Sequence, residues 1–358
     1  MSDPLRAAYV ALPHQPIDTP WPTDAWPTAE PDPAVGLEEL IDEVHDDHDR
    51  YGTTYATLVV HRGRLVHERY GGVVRHRGDD DEPVTAATSL LSWSMAKSVL
   101  HALVGILVGD GRLVLDEPAA VAPWRAADDP RSSITLEQLL EMRDGLDFVE
   151  NYADDRVSNV IEMLFGSGRD DVAAYASSRP LAHRPGTVFN YSSGTSNIVA
   201  RLVCDAIGGH PADVERFMRD RLFEPIGMRS ARPRFDAAGT FIGSSYVYAV
   251  ARDFARFGLL YLRDGRWDGR TVLPPGWVDH ARRPRSVDPA DGRAHGAHWW
   301  VVGDELGSFW ASGYEGQSIL CVPAVDLVVV RLGRTPLKLG EHLPDWRARV
   351  TAALVESS

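Results

Sequence analysis

The sequence predicts an α+β fold in which an antiparallel sheet is flanked by helices and a mostly helical domain is inserted into it. Three observations carry that expectation. Strand-like apolar runs gather near both ends of the chain, helical periodicity fills the middle, and the last segment, HLPDWRARVTAALVESS, reads as a helix able to cover the sheet. The corresponding division is a Pro-rich strap over 1–34, a sheet domain from 35–92 and 225–358, and a helical domain over 93–224. The site is expected at the junction.

Taken in order, residues 1–34 hold eight of the 24 prolines and no sustained periodicity, which suits an extended strap anchored by Trp21 and Trp26. Leu37, Leu40, Ile41 and Val44 have helical spacing within 35–51. TYATLVVHRGRLVHERYGG gives two apolar runs around Arg62-Gly63-Arg64, the pattern of a hairpin. Residues 78–86 are a polar loop, and 92–108 form an apolar helix stopped at Gly109-Asp110-Gly111. A short helix follows over 134–142, capped by Thr135, and 143–171 reads as loop. Helical patterns return at 172–178, 196–207 and 211–222. SSYVYAVARDFARFGLLYLRDG reads as a helix with arginines outward, and HWWVV, GSFWASG, QSILCVP and LVVVRLG as strands that join the early hairpin in one sheet.

Composition limits the function. At 358 residues with 44% hydrophobic content, the chain can bury a sizeable core, and no apolar run approaches the roughly 18 residues a membrane span needs. A formal net charge of -14 disfavours nucleic acid and anionic membranes as partners, leaving small molecules. The N-terminus lacks the basic start and apolar core of a secretory signal, so a cytoplasmic location is expected. Cys204 and Cys321 sit in apolar contexts that suit buried thiols. The His45/His48 and His295/His298 pairs lack a third ligand, and no metal or organic cofactor is expected.

The helix over 92–108 carries one polar stripe on an otherwise apolar surface: Ser94, Lys97, Ser98 and His101, at i, i+3, i+4 and i+7. Burying an amine costs several kcal/mol unless it is satisfied or used. Of the 37 lysine and arginine residues, only Lys97 and Lys338 are lysine. Arginine keeps its proton under ordinary conditions, whereas a desolvated lysine can act as a base. Lys97 is therefore a candidate neutral amine. Several other chemistries are absent by inspection, with no G-x-S-x-G, P-loop, G-x-G-x-x-G after a strand or H-E-x-x-H. The serine route remains. Spacing of three along a helix sets an amine beside a hydroxyl, and the free N–H groups at the helix N-terminus can receive a developing oxyanion.

SMAK at Ser94–Lys97, YSS at Tyr191–Ser193 and ASGYEGQ at Ala311–Gln317 resemble, in order, the three motifs of the serine beta-lactamase and penicillin-binding-protein superfamily. The flanking segments GDGRLVLDEP, ITLEQLLEMRDGLDF, PGTVFNYSSGTSN, FEPIGM and SSYVYAVARDFARFG extend the resemblance over about residues 50–335. Within that superfamily the chain most resembles the class C-type esterase and amidase branch that includes 6-aminohexanoate-dimer hydrolases. The resemblance implies a beta-lactamase-like fold, with Ser94 as acylated nucleophile, Lys97 as its base and Tyr191 as second proton carrier coupled to Lys97. It implies an oxyanion hole from the backbone N–H groups of Ser94 and Tyr314, with Gly313 and Gly316 allowing close backbone approach.

Two departures bear on substrate. The third motif opens with Ala311, followed by Ser312 and Gly313, where beta-lactamases and peptidases carry a cation for a substrate carboxylate. The second motif ends in Ser193 where beta-lactamases have Asn. Lys338-Leu339-Gly340 lies after the LVVVRLG strand and lacks the hydroxyl of a third motif. Tyr152, in DFVENYADD, resembles the tyrosine on the closing loop of the 6-aminohexanoate-dimer hydrolases, and Trp299, Trp300 and Trp310 are candidate walls of an apolar pocket. The expected substrate-binding set is thus Tyr152, Ser193, Ser312, Gly313, Trp299 and Trp310. The reading is a serine hydrolase of small esters or linear amides. A beta-lactamase or D-alanyl peptidase, an acyltransferase and a non-catalytic binding protein on the same fold are the alternatives.

Overall fold

A computed structural model describes residues 9–30, 36–74, 81–126, 128–152 and 158–355. The ends of the strap (1–8 and 31–34), the start of the polar loop at 78–80, the segment 153–157 after Tyr152 and the tail 356–358 lie outside the described residues.

Eight antiparallel strands make the main sheet: β1 (Thr53–His61), β2 (Arg64–Tyr70), β3 (Ser286–Val287), β4 (Ala294–His295), β5 (Trp300–Val301), β6 (Phe309–Gly313), β7 (Gln317–Val322) and β8 (Leu327–Arg334). Their order is β3-β4-β5-β6-β7-β8-β1-β2, so the early hairpin lies beside the last strand. The hairpin turns at Arg62 (φ 51°) and Gly63 (φ 74°), two left-handed residues whose twist matches that of paired strands. Strand β8 shows why the sheet is central. Its Val328, Val330 and Leu332 enter one apolar cluster while Leu327 and Val329 enter another, the two-residue alternation of a strand buried on both faces.

Helices α1 (Leu37–Asp46) and α6 (His342–Val355) cover one face of the sheet. Helix α1 stops where Asp47 turns outward to accept the Arg50 N–H at 3.1 Å. On the other face lie α2 (Ala96–Gly109), α3 (Leu136–Leu140), α4 (Ser193–Ile207) and α5 (Ala251–Leu262). A capping box between Thr135 and Gln138 starts α3. Gly258 lets α5 lie against the sheet, since a Cβ there would come within 2.6 Å of Ile319.

Two segments differ from the sequence expectation. The helix expected from Ser244 begins only at Ala251, because Val247–Ala249 is a strand pairing with Leu90–Leu91 and Arg232–Pro233. Its Arg256 is buried rather than outward, between Asp253 and the carbonyl of Pro22 in the strap. The stretch read as loop over 143–171 holds a short helix, Asn159–Phe165, capped by Ser158. Trp21 packs on Trp267 at 5.1 Å and Arg256 lies over Trp26, so both strap tryptophans meet the body.

Candidate active site

The paired segment Leu90–Leu91 leads into a tight turn, Trp93–Met95, from which α2 departs. Ser92 holds that turn against Val247 through its N–H (2.9 Å) and its hydroxyl (3.1 Å). Trp93 takes φ 45°, a left-handed conformation that costs a non-glycine residue about 1–3 kcal/mol and raises Ser94 toward solvent. Lys97, in the first turn of α2, is only 2% exposed. Its Nζ lies 3.1 Å from Ser94 Oγ, 3.0 Å from Ser193 Oγ and 3.0 Å from the Ser244 carbonyl. Ser244 lies in a turn closed by the Ser245 and Tyr246 N–H groups on the Ile242 carbonyl, and its own N–H is fixed by Asn197 Oδ1 at 3.1 Å.

Tyr191 stands beside the pair. Lys97 Nζ lies 4.9 Å from the centroid of its ring, and Trp300 stacks on the other side at 5.4 Å. Among the described residues no hydrogen bond joins the Tyr191 hydroxyl to Ser94 or Lys97. Tyr191 thus meets the amine with its ring face.

Across from Ser94, β6 ends at Gly313. A Cβ there would come within 2.5 Å of the Ser92 carbonyl, so only glycine lets this strand end approach the nucleophile turn. Tyr314 follows, and Gln317 holds it by donating Nε2–H to the Tyr314 carbonyl (2.8 Å) and to the Gly333 carbonyl (2.7 Å). Arg331, fully buried, donates to the carbonyls of Glu315 (3.0 Å) and Gly316 (3.3 Å) and to Tyr51, Thr53 and Thr54 behind them. Burial without a carboxylate partner pushes its guanidinium down to about 9. Neither the Ser94 nor the Tyr314 N–H has an acceptor in a turn, loop or cap among the described residues. Two such donors flanking a hydroxyl are the parts of an oxyanion hole.

Ser94, Tyr152, Tyr191, Ser312, Gly313 and Tyr314 line one cavity of about 490 Å³. Ser193, Trp299 and Trp310 do not. Ser193 is fully buried and spends its hydroxyl on Lys97 and Glu150. Trp299 faces the core, packed 4.4 Å from Tyr261, whereas its neighbour Trp300 points the other way into the cavity. Trp310 stacks behind Trp300 at 6.0 Å and opens on a separate groove. Tyr152 lies 4.9 Å from the Tyr314 ring and donates its hydroxyl to Glu150 at 2.6 Å. Leu337 reaches the cavity, but Lys338 does not line it.

Glu150, Asp288 and Arg293 supply the charge in the cavity, and sequence reasoning missed all three. In the DFVENYADD segment the family resemblance rests on Tyr152 alone. Nothing local marks Glu150, whose partner Ser193 is 43 residues away. Ser98 and His101, the remainder of the stripe, are structural: Ser98 donates to the His298 carbonyl at 2.9 Å, and His101 bonds Tyr261 and His280. His298 itself clasps the helices around the site. Its Nδ1 lies 3.0 Å from the Leu140 carbonyl, which can only accept, so Nε2 accepts from Ser196 Oγ at 3.0 Å. Burial pushes this imidazole down to about 3 and keeps it neutral.

Sheet, helices and site define a member of the serine hydrolase superfamily. The chain belongs to the beta-lactamase family, whose model, described as Beta-lactamase, matches residues 37–354. The 6-aminohexanoate-dimer hydrolase of Paenarthrobacter ureafaciens is 25% identical over 353 residues, covering 93% of this chain and 85% of the relative. Among solved structures, a Bacillus anthracis protein provisionally described as a 6-aminohexanoate-dimer hydrolase superposes with a TM-score of 0.75 at 20% identity, over 98% of this chain and 92% of that one. EstCE1, described as a hydrolase with promiscuous acyltransferase activity, superposes with a TM-score of 0.66 at 17% identity, over 89% and 98% of the two chains. These likenesses establish a beta-lactamase-like fold. No helix among the described residues is long and apolar enough to cross a membrane.

Proposed function

We propose that the protein hydrolyses a small carboxylic ester or linear amide through an acyl-enzyme on Ser94. The observation that carries this reading is the contact of Lys97 Nζ with Ser94 Oγ at 3.1 Å, at the floor of a cavity large enough for a small acyl substrate. The substrate carbonyl oxygen would sit between the Ser94 and Tyr314 N–H groups. As Ser94 Oγ bonds to the carbonyl carbon, its proton passes to the neutral Lys97 amine. Tyr191 protonates the leaving alkoxide or amine and recovers a proton from Lys97 through an intervening water, because its hydroxyl is not bonded to the amine directly. Water then attacks the acyl carbon, its proton returns through Tyr191 and Lys97, and Ser94 leaves with a proton while the carboxylic acid departs.

Support for esters and linear amides over beta-lactams comes from the third motif. Ala311 is buried at 1% exposure, so that position presents no cation to a substrate carboxylate. The name of the 6-aminohexanoate-dimer hydrolase points to a linear amide, and EstCE1 is described as a hydrolase with acyltransferase activity. A panel of p-nitrophenyl esters, short linear amides and beta-lactams compared by kcat/KM tests the reading. Esters or amides are expected to lead; a beta-lactam leading the panel would overturn the substrate class.

A further inference from the structure

Glu150 lies at the N-terminus of α4, where bonds remote from the chemistry deliver it. Asp144 accepts the Thr195 hydroxyl at 2.6 Å, and Asn190 donates to the Phe148 carbonyl at 3.0 Å, which ties this loop to the helix start. There the Glu150 carboxylate takes the Ser193 N–H at 2.5 Å, the Ser193 hydroxyl at 2.8 Å and the Tyr152 hydroxyl at 2.6 Å. An anion at a helix N-terminus that accepts a backbone N–H is in favourable surroundings. Burial and the adjacent Glu150 charge raise the Tyr152 phenol above its ordinary range, so it stays protonated and keeps donating.

We propose that Glu150 is a positioning residue that, through Ser193, aims the free electron pair of Lys97 at Ser94. The inference rests on the serine-hydrolase reading above. A carboxylate accepts and cannot donate, so the single hydroxyl hydrogen of Ser193 is committed to Glu150. Ser193 Oγ therefore meets Lys97, 3.0 Å away, with a lone pair, and one amine N–H is spent on it. The Ser244 carbonyl, also an acceptor, takes a second at 3.0 Å. A neutral amine has two hydrogens and one lone pair. With both hydrogens committed, the lone pair faces the remaining neighbour, Ser94 Oγ at 3.1 Å, the orientation a base needs to receive the serine proton. Without the carboxylate, Ser193 could turn and donate to the amine. The lone pair would then be occupied and an N–H would face the nucleophile.

The test is a double-variant cycle in the full chain, read as the second-order rate of inactivation by a fluorophosphonate and as kcat and KM for p-nitrophenyl butyrate. Glu150→Gln, whose amide can donate to Ser193, is expected to slow inactivation and kcat by about 30-fold or more with KM changed by less than about threefold. Ser193→Ala removes the acceptor of one amine hydrogen but also any hydroxyl able to donate to the lone pair, and costs about 10-fold or less. The double variant is expected to react faster than Glu150→Gln alone, because removing Ser193 removes the fault. Glu150→Asp keeps the charge, shortens the reach and gives the same pattern, which covers a Glu150→Gln variant that fails to fold. Independent, multiplying losses in the double variants, or a loss confined to KM, would overturn the role of Glu150. Absence of labelling at Ser94 in the unaltered protein would instead overturn the serine-hydrolase reading.

Discussion

Lys97 Nζ and Ser94 Oγ are 3.1 Å apart, the amine in the first turn of the largely buried α2 and the hydroxyl in the Trp93–Met95 turn that leads into it. The amine is 2% exposed and, among the described residues, has no carboxylate as a direct partner. Lys97→Arg puts a permanent cation where the reaction needs a group that can accept a proton, and it crowds the Ser193 and Ser244 contacts. We expect a folded protein with kcat/KM reduced by about 10³-fold or more. Steady-state kinetics with circular dichroism check this, and retention of most activity would show that Lys97 is not the base.

Tyr191→Phe separates the hydroxyl from the ring. The ring contacts to Lys97 and Trp300 remain, so stability is expected to change by less than about 1 kcal/mol while kcat falls by about 10²- to 10⁴-fold. Near-normal kcat would leave Tyr191 as packing alone.

Arg331 joins β8 to the turn bearing Tyr314, and its donors satisfy buried carbonyls from two sides. Arg331→Met would leave those acceptors unpaired, and a loss of about 3–5 kcal/mol is expected in urea unfolding. A loss below about 1 kcal/mol would show that the turn holds itself.

The His298 clasp gives the stability a pH dependence. Its folded-state value is lowered from 6.5 to about 3, so between those pH values the unfolded chain binds a proton that the folded chain does not. The contribution is full above about 6.5 and is lost as pH falls toward about 3. His298→Asn, which tolerates the φ of 54° and does not titrate, is expected to reduce the slope of urea-derived stability over that window, leaving the part that buried His45, His101 and His295 supply. An unchanged slope would contradict the assignment.

What the sequence revealed and concealed follows from how far each contact reaches along the chain. Ser94 and Lys97 are one helical turn apart, and their chemistry shows against an apolar background that needs no fold to interpret. The β1–β2 hairpin and β8 carry their periodicity within themselves. Glu150 and Ser244 were invisible because they reach Lys97 from remote segments, Glu150 by way of the Ser193 hydroxyl and Ser244 through a carbonyl left out of helical pairing because the expected helix starts late at Ala251. Trp299, Trp300 and Trp310 could not be sorted by type. Only the alternation of β5 and its pairing with β6 turn Trp300 into the cavity and Trp299 into the core.

The most direct measurement is the mapping, by peptide mass spectrometry, of the adduct formed when the protein is treated with a fluorophosphonate. A single adduct on Ser94, abolished by Ser94→Ala and slowed by Lys97→Arg, is the expected result. No adduct, or one on any other serine, would contradict nucleophilic catalysis at this site.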